Sequence, residues 1–152
     1  MPRRTELSSL ESHLGYWIRY VSNHVSHAFA LKLATVGVTV AEWVVLRELY
    51  DSESAPSALA DRIGMTRGAI SKLAERLIDK ALIARRVSAG DRRFQSLALT
   101  RRGRAITPKL AALADENDAE FFAALDIETR ATITAAMKAV VRSKGLRGAP
   151  VD

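Results

Sequence analysis

Pro56-Ser57-Ala58-Leu59-Ala60-Asp61-Arg62-Ile63-Gly64-Met65-Thr66-Arg67-Gly68-Ala69-Ile70-Ser71-Lys72-Leu73-Ala74-Glu75-Arg76-Leu77-Ile78 is the stretch that decides the fold. Pro56 suits the first turn of a helix, where its missing N–H has no partner to lose. Leu59, Ala60 and Ile63 give that short helix one apolar face, and Gly64 ends it. Thr66 then stands as the N-cap of a second helix, predicted to run from Arg67 to about Ala81. Ile70, Leu73, Leu77 and Ile78 form its inward side, while Arg67, Gly68, Ser71, Lys72, Glu75 and Arg76 lie opposite. A short helix, a glycine turn and a capped second helix with a polar, basic first half make a helix-turn-helix.

The pattern changes period after this helix. Ile83, Arg85 and Val87 alternate with Ala84, Arg86 and Ser88, as in a strand. Ala89-Gly90-Asp91-Arg92-Arg93 makes a turn, and Gln95, Leu97 and Leu99 alternate on a returning strand. A basic β-hairpin directly after such a helix is a wing. Upstream, Thr39 with Glu42 three residues later reads as a capping box for a helix over Val40 to Tyr50, with Trp43, Leu46 and Leu49 or Tyr50 inward. Residues 6–35 read as one long helix with Leu14, Ile18, Val21, Val25 and Phe29 on one stripe, stopped by Gly37. Downstream, Thr100 caps a helix through about Ala124, with Pro108 bending it or marking its first turns. Asp126 caps a last helix carrying Ile127, Ile133, Met137, Val140 and Val141.

The fold class expected from these elements is mainly α (α+β), a single domain. Its winged helix-turn-helix spans 38–104, a helical dimerisation region spans 6–35 and 105–143, and a frayed tail spans 144–152.

Charge is distributed unevenly. From Arg62 to Lys109 there are thirteen Lys or Arg against three acidic residues, +10, whereas the rest of the chain holds ten basic and fourteen acidic residues, −4. A local field of this size suits a polyanion, since neutralising phosphates releases condensed counterions. The major groove admits one helix and exposes base edges to its first turns. The expected DNA-binding residues are therefore Thr66, Arg67, Gly68, Ser71, Lys72 and Arg76, with Arg86, Arg92 and Arg93 from the wing. The Arg67 fork matches the two guanine acceptors, while Lys72 and Arg76 suit phosphates. Gly68 lets the backbone come close to DNA, and wing arginines suit a narrow minor groove. Asp91 is assigned to stabilising the wing turn.

Several functions are excluded or disfavoured. The chain has no cysteine, which removes disulfides, thiolate nucleophiles and thiolate metal sites. All three histidines precede residue 30; His24 and His27 have metal-ligand spacing, but no Cys or later His completes a set, so no metal or cofactor is expected. There is no glycine-rich phosphate loop and no Ser-His-Asp arrangement, so an enzyme is not expected. No apolar run is long enough to span a bilayer and no signal-peptide core is present, so a cytoplasmic location without membrane partners is expected.

The run Thr66-Arg67-Gly68-Ala69-Ile70-Ser71-Lys72-Leu73-Ala74-Glu75-Arg76-Leu77-Ile78-Asp79-Lys80-Ala81-Leu82-Ile83-Ala84-Arg85 is followed by Asp91-Arg92-Arg93 and by Leu97-Ala98-Leu99-Thr100-Arg101-Arg102-Gly103. In order and spacing these resemble the multiple antibiotic resistance regulator (MarR) family, as does Thr39-Val40-Ala41-Glu42-Trp43-Val44-Val45-Leu46. Ala81 stands where that family usually has glycine, which implies a less sharply turned helix end. The resemblance implies a homodimer whose first and last two helices intertwine, binding pseudopalindromic double-stranded DNA as a repressor. It further implies release by a small aromatic ligand in a crevice between the first, second and long fifth helices, with Trp17, His24, Trp43 and Arg47 as candidate lining residues. On a helical wheel His13, Trp17, Tyr20, His24 and His27 share an arc of roughly 80°. That arc reads equally well as a dimer-interface stripe. The alternative to a ligand-released repressor is an architectural or non-specific DNA-binding protein without an effector.

Overall fold

Side-chain caps set most of the helix starts. In the computed structural model, which describes residues 6–87, 90 and 95–147, the helices are α1 (Leu14–Ala34), α2 (Val40–Asp51), α3 (Pro56–Ile63), α4 (Arg67–Asp79), α5 (Arg101–Phe122) and α6 (Ile127–Lys144). Thr39 accepts from the Glu42 N–H at 3.1 Å and Glu42 Oε2 accepts from the Thr39 N–H at 3.0 Å, the expected capping box. Thr66, Thr100 and Asp126 cap α4, α5 and α6 in turn, accepting from Ala69, Gly103 and Thr129 N–H. The hydrogen bonds from Thr129 hold the Asp126 carboxyl below the usual carboxylate range.

The long helix expected over residues 6–35 is shorter. A 3-10 turn occupies Leu10–Ser12, His13 is extended (φ −96°, ψ 121°), and α1 begins at Leu14. The Ser12 hydroxyl donates to the Ser9 carbonyl at 2.7 Å, and His13 Nδ1 lies 2.9 Å from the same oxygen. Such side-chain bonds to nearby backbone compete with helix propagation. His13 therefore leaves the α1 stripe on which the helical wheel placed it. At the other end Gly37 takes φ +73° and the Val38 N–H returns to the Leu33 carbonyl at 3.2 Å, closing the helix.

Strands β1 (Ile83–Val87) and β2 (Gln95–Leu99) pair antiparallel, Ile83 opposite Leu99 and Val87 opposite Gln95. Ser54, read as part of a polar connection, pairs with Leu97 on the other edge of β2: each N–H donates to the other's carbonyl, at 3.1 and 2.8 Å. Simple alternation fails in β2, where Leu97, Ala98 and Leu99 are all buried. Neighbouring side chains on a strand point to opposite faces, so β2 is covered on both.

The core joins α2, α3, α4, both strands and α5 through Leu46, Leu49, Leu59, Ile70, Leu77, Ile83, Leu97 and Leu110. The outer helices contribute little to it. Within one chain α1 buries Leu33 alone and α6 buries nothing.

One corner holds α4, β1 and α5 together. Helix α4 ends two residues earlier than expected, and Ala81 takes φ +58°, the one non-glycine in the left-handed region among the described residues. The expected blunter end does not occur. Ala81 and Leu82 N–H groups donate to the Ile78 and Leu77 carbonyls at 2.8 and 2.9 Å, and Leu82 and Ile83 drop into the core. The Thr100 N–H donates to the Leu82 carbonyl at 3.0 Å and its hydroxyl to the Ala81 carbonyl at 2.7 Å. Gly103 packs directly on this bend: a Cβ there would stand 2.0 Å from the Leu82 oxygen. Helix α5 then runs without a break through Pro108 and ends at Phe122, two residues before the expected Ala124.

Two substitutions test the corner. Gly103→Ala forces α5 away from Leu82 and is expected to lower unfolding free energy by about 1–3 kcal/mol, the range of overpacking. Ala81→Gly relieves a left-handed alanine and is expected to raise it by about 0.5–1 kcal/mol, after the entropy of the unfolded glycine is subtracted. Urea denaturation of both variants at one protein concentration measures each change.

Candidate nucleic-acid interface

Helix α4 separates its two faces cleanly. Ile70, Leu73, Ala74 and Leu77 are buried, while Arg67, Gly68, Ser71, Lys72, Glu75 and Arg76 are exposed. At Gly68 a Cβ would meet nothing within 4 Å, so the backbone of the first turn faces open space. The N–H groups of this turn give it a partial positive charge, and the Thr66 cap consumes only one of them.

Ion pairing sorts the cations of the basic segment. Arg62 bonds Glu48 at 3.2 Å and the Ser54 hydroxyl at 3.2 Å, fastening α3 to α2 and to the edge of the sheet. Arg85 pairs with Glu75, and Arg86 with Glu53 at 3.7 Å. Lys80 is committed more deeply. Its ammonium donates to the Gly37 carbonyl at 2.8 Å and to both oxygens of Glu42 at 3.0 and 2.8 Å, and the Glu42 side chain is 1% exposed. Arg67, Lys72 and Arg76 carry no ion pair among the described residues, and all three project from α4 into solvent. Glu75, the acid on that face, is neutralised by Arg85.

The structure thus brings Thr66, Arg67, Gly68, Ser71, Lys72 and Arg76 onto one exposed face, with Arg86 on β1 nearby in the chain and 66% exposed. Asp91, Arg92 and Arg93 lie outside the described residues. The sequence reading gave no role to Lys80 or Glu42 beyond the capping box; their pairing spans 38 positions and leaves no local signal.

The four candidate lining residues do not share one crevice within the chain. Trp17 faces an apolar groove of 440 Å³ with Ile18, Val21, Val25, Phe122, Leu125 and Ile133. His24 stacks on Tyr20 at 5.1 Å and opens beside Phe121. Trp43 packs edge-on against Phe29 at 6.4 Å, at the margin of the core. Arg47 pairs with Asp51 at 2.9 Å in a separate groove of 340 Å³ between α2 and α5, lined also by Tyr50, Thr107, Pro108, Ala111, Ala112 and Asp115. A wheel diagram ranks residues by direction on one helix. It does not say which neighbouring helix each will meet.

A two-stranded wing following a capped helix with an exposed basic face defines a winged helix-turn-helix DNA-binding regulator. A sequence profile of the MarR family matches residues 36–93. Over 116 residues the chain is 31% identical to the HTH-type transcriptional repressor Rv2887 of Mycobacterium tuberculosis, covering 76% of this chain and 84% of that protein. Its fold is similar to that of a mutant MarR from E. coli complexed with operator DNA (TM-score 0.76, 24% identity, 84% of this chain and 93% of the other). It is also similar to CouR from Rhodococcus jostii bound to p-coumaroyl-CoA (TM-score 0.77, 22% identity, 90% and 94%). The chain belongs to the MarR family of transcriptional regulators.

Proposed function

We propose that two copies of this chain form a repressor that reads a pseudopalindromic operator, one half-site for each α4. The observation that carries this reading is the state of the cations: Arg67, Lys72 and Arg76 stand on the exposed face with no ion pair among the described residues, while Arg62 and Lys80 behind it hold the scaffold together. Arg67, in the first turn, is the residue proposed to contact guanine, with Ser71 beside it. Lys72 and Arg76 contact phosphates, and Gly68 allows close backbone approach. Arg86, Arg92 and Arg93 are proposed to reach the minor groove or its phosphates. Asp91 is proposed to brace the turn that carries the last two. Exposed pairs such as Arg86–Glu53 are weak, so releasing Arg86 to a phosphate costs little.

The dimer is supported by apolar surface that one chain leaves in water. Leu14, Trp17, Ile18, Tyr20 and Val21 on α1 are 41–70% exposed, as are Ile133, Val140 and Val141 on α6 at 45–49%. Patches of this kind mark interaction surfaces. The proposed division is a reading head over 38–104 and arms over 6–35 and 105–143, and this exposed apolar surface supports it. No helix among the described residues is long and apolar enough to cross a membrane, and a cytoplasmic, non-enzymatic role fits a regulator of transcription.

For an effector, the Arg47 groove is the proposed place. Two guanidiniums, Arg47 and the Arg104 that lies over the Tyr50 ring at 5.0 Å, stand beside two carboxylates, Asp51 and Asp115. That balance favours a neutral aromatic, such as a phenol, over an aromatic acid. Trp17, His24 and Trp43 are then assigned to the interface stripe and the core margin.

Two measurements test these assignments. Fragment selection from genomic DNA yields the operator, against which Arg67→Ala is expected to lose about 1–3 kcal/mol and base preference at one position. Lys72→Ala is expected to weaken all sequences alike and to reduce the salt slope by about one contact. Identical behaviour of the two variants refutes the division of roles. In the second measurement, neutral phenols are expected to lower operator affinity of the parent protein but not of Arg47→Ala; aromatic carboxylates acting more strongly would overturn the charge argument.

A further inference from the structure

Lys80 sits at the opposite end of α4 from the bases it is proposed to read. A lysine ammonium has three N–H donors. Three acceptors surround this one, the Gly37 carbonyl and the two Glu42 oxygens, at 2.8–3.0 Å. Glu42 Oε2 also accepts from the Thr39 N–H. Gly37 and Thr39 belong to the turn that joins α1 to α2. The cation therefore fastens the C-cap of the recognition helix to the root of the arm proposed to hold the second copy.

We propose that Lys80 is a positioning residue: it fixes the angle of α4 relative to the dimer arm and so sets the spacing between the two half-sites. This rests on the operator-reading dimer proposed above. The lever is long for so small a tie. A 13-residue helix measures about 20 Å, so a tilt of about 10° at its C-cap moves its first turn by about 3.4 Å, one base-pair step along duplex DNA. The apolar face of α4 holds the helix onto the core through contacts that are individually non-directional. The saturated ammonium adds a directional constraint at the pivot. Lys80 does not serve as a phosphate contact, because its charge is already spent on a carboxylate buried from solvent.

The experiment uses the full chain and four duplexes: the selected two-half-site operator, versions with the spacer one base pair longer or shorter, and a single half-site. Two variants are compared, Lys80→Met and the double variant Glu42→Gln/Lys80→Met. The second leaves no buried charge and keeps a capping-competent side chain at the N3 position, so it carries the test should the first fail to fold. The parent is expected to lose about tenfold or more in affinity on a one-base-pair change of spacer, the cost of a mismatched contact. The variants are expected to discriminate less than about threefold, with single half-site affinity and salt slope close to the parent's. Variants that melt earlier but keep the full spacing preference would show a merely structural role and overturn the proposal. So would uniform weakening with a reduced salt slope, the mark of a phosphate contact. A parent protein that binds operator and random duplexes equally defeats the operator reading itself, a different result from either.

Discussion

A carboxylate shut away from water cannot stand alone, and Glu42 is such a group. Burying a lone charge costs several kcal/mol, so its place in the fold depends on partners that come from elsewhere. One is local, the Thr39 N–H of the capping box. The other is Lys80, which reaches it from the end of α4. The next two residues extend the same junction: the Ala81 carbonyl takes the Thr100 hydroxyl, and the Leu82 carbonyl takes the Thr100 N–H. Three consecutive residues thus tie the recognition helix to the root of α1 on one side and to the start of α5 on the other. Gly103 is small because that junction leaves no room above Leu82.

The same junction explains why net charge alone is a poor guide to the binding face. The segment from Arg62 to Lys109 carries +10, yet its cations do different work. Lys80 and Arg62 stabilise the scaffold by pairing with Glu42 and Glu48. Arg85 pairs with Glu75 on the exposed side of α4, which raises the local potential there. Of the cations without an ion pair among the described residues, Arg67 and Lys72 lie in the first half of α4, where the helix dipole has the same sign, Arg76 lies one turn on, and Arg101, Arg102, Arg104 and Lys109 lie on α5.

Short-range chemistry made most of this fold legible in the sequence. Thr39 with Glu42, Gly64, Thr66, Thr100 and Asp126 each announce a helix boundary within four residues, and each boundary falls where the cap predicts. The exposed face of α4 follows from period alone. Longer-range partners were not legible. Ser54 looks like loop but completes the edge of β2, and Ala81 takes a glycine conformation because Leu82 and Ile83 must enter the core. His13 breaks α1 through a bond to Ser9 that no periodicity reveals. The resemblance puts Trp17, His24, Trp43 and Arg47 around one crevice, whereas within one chain they face different neighbours, which no local pattern reveals.

The division of apolar surface links these features to how such a protein works. The core closes around α2–α4, the strands, the end of α1 and the first half of α5, whereas α1 and α6 keep Trp17, Ile18, Val140 and Val141 in water until something covers them. An arm of that kind gains most of its stability from association, so its order is coupled to the concentration of the second copy. Helix α5 belongs to both halves: its first turn seals the corner at Leu82, and Asn117 farther along donates to the Val25 carbonyl of α1 at 3.1 Å while accepting from Lys32 at 3.2 Å. Any shift of α1 against its counterpart in the proposed dimer is therefore felt at α5 and at Gly37. Both lead to the C-terminal end of α4. In the proposed dimer, assembly and DNA reading would be coupled, since the same few polar contacts would anchor both.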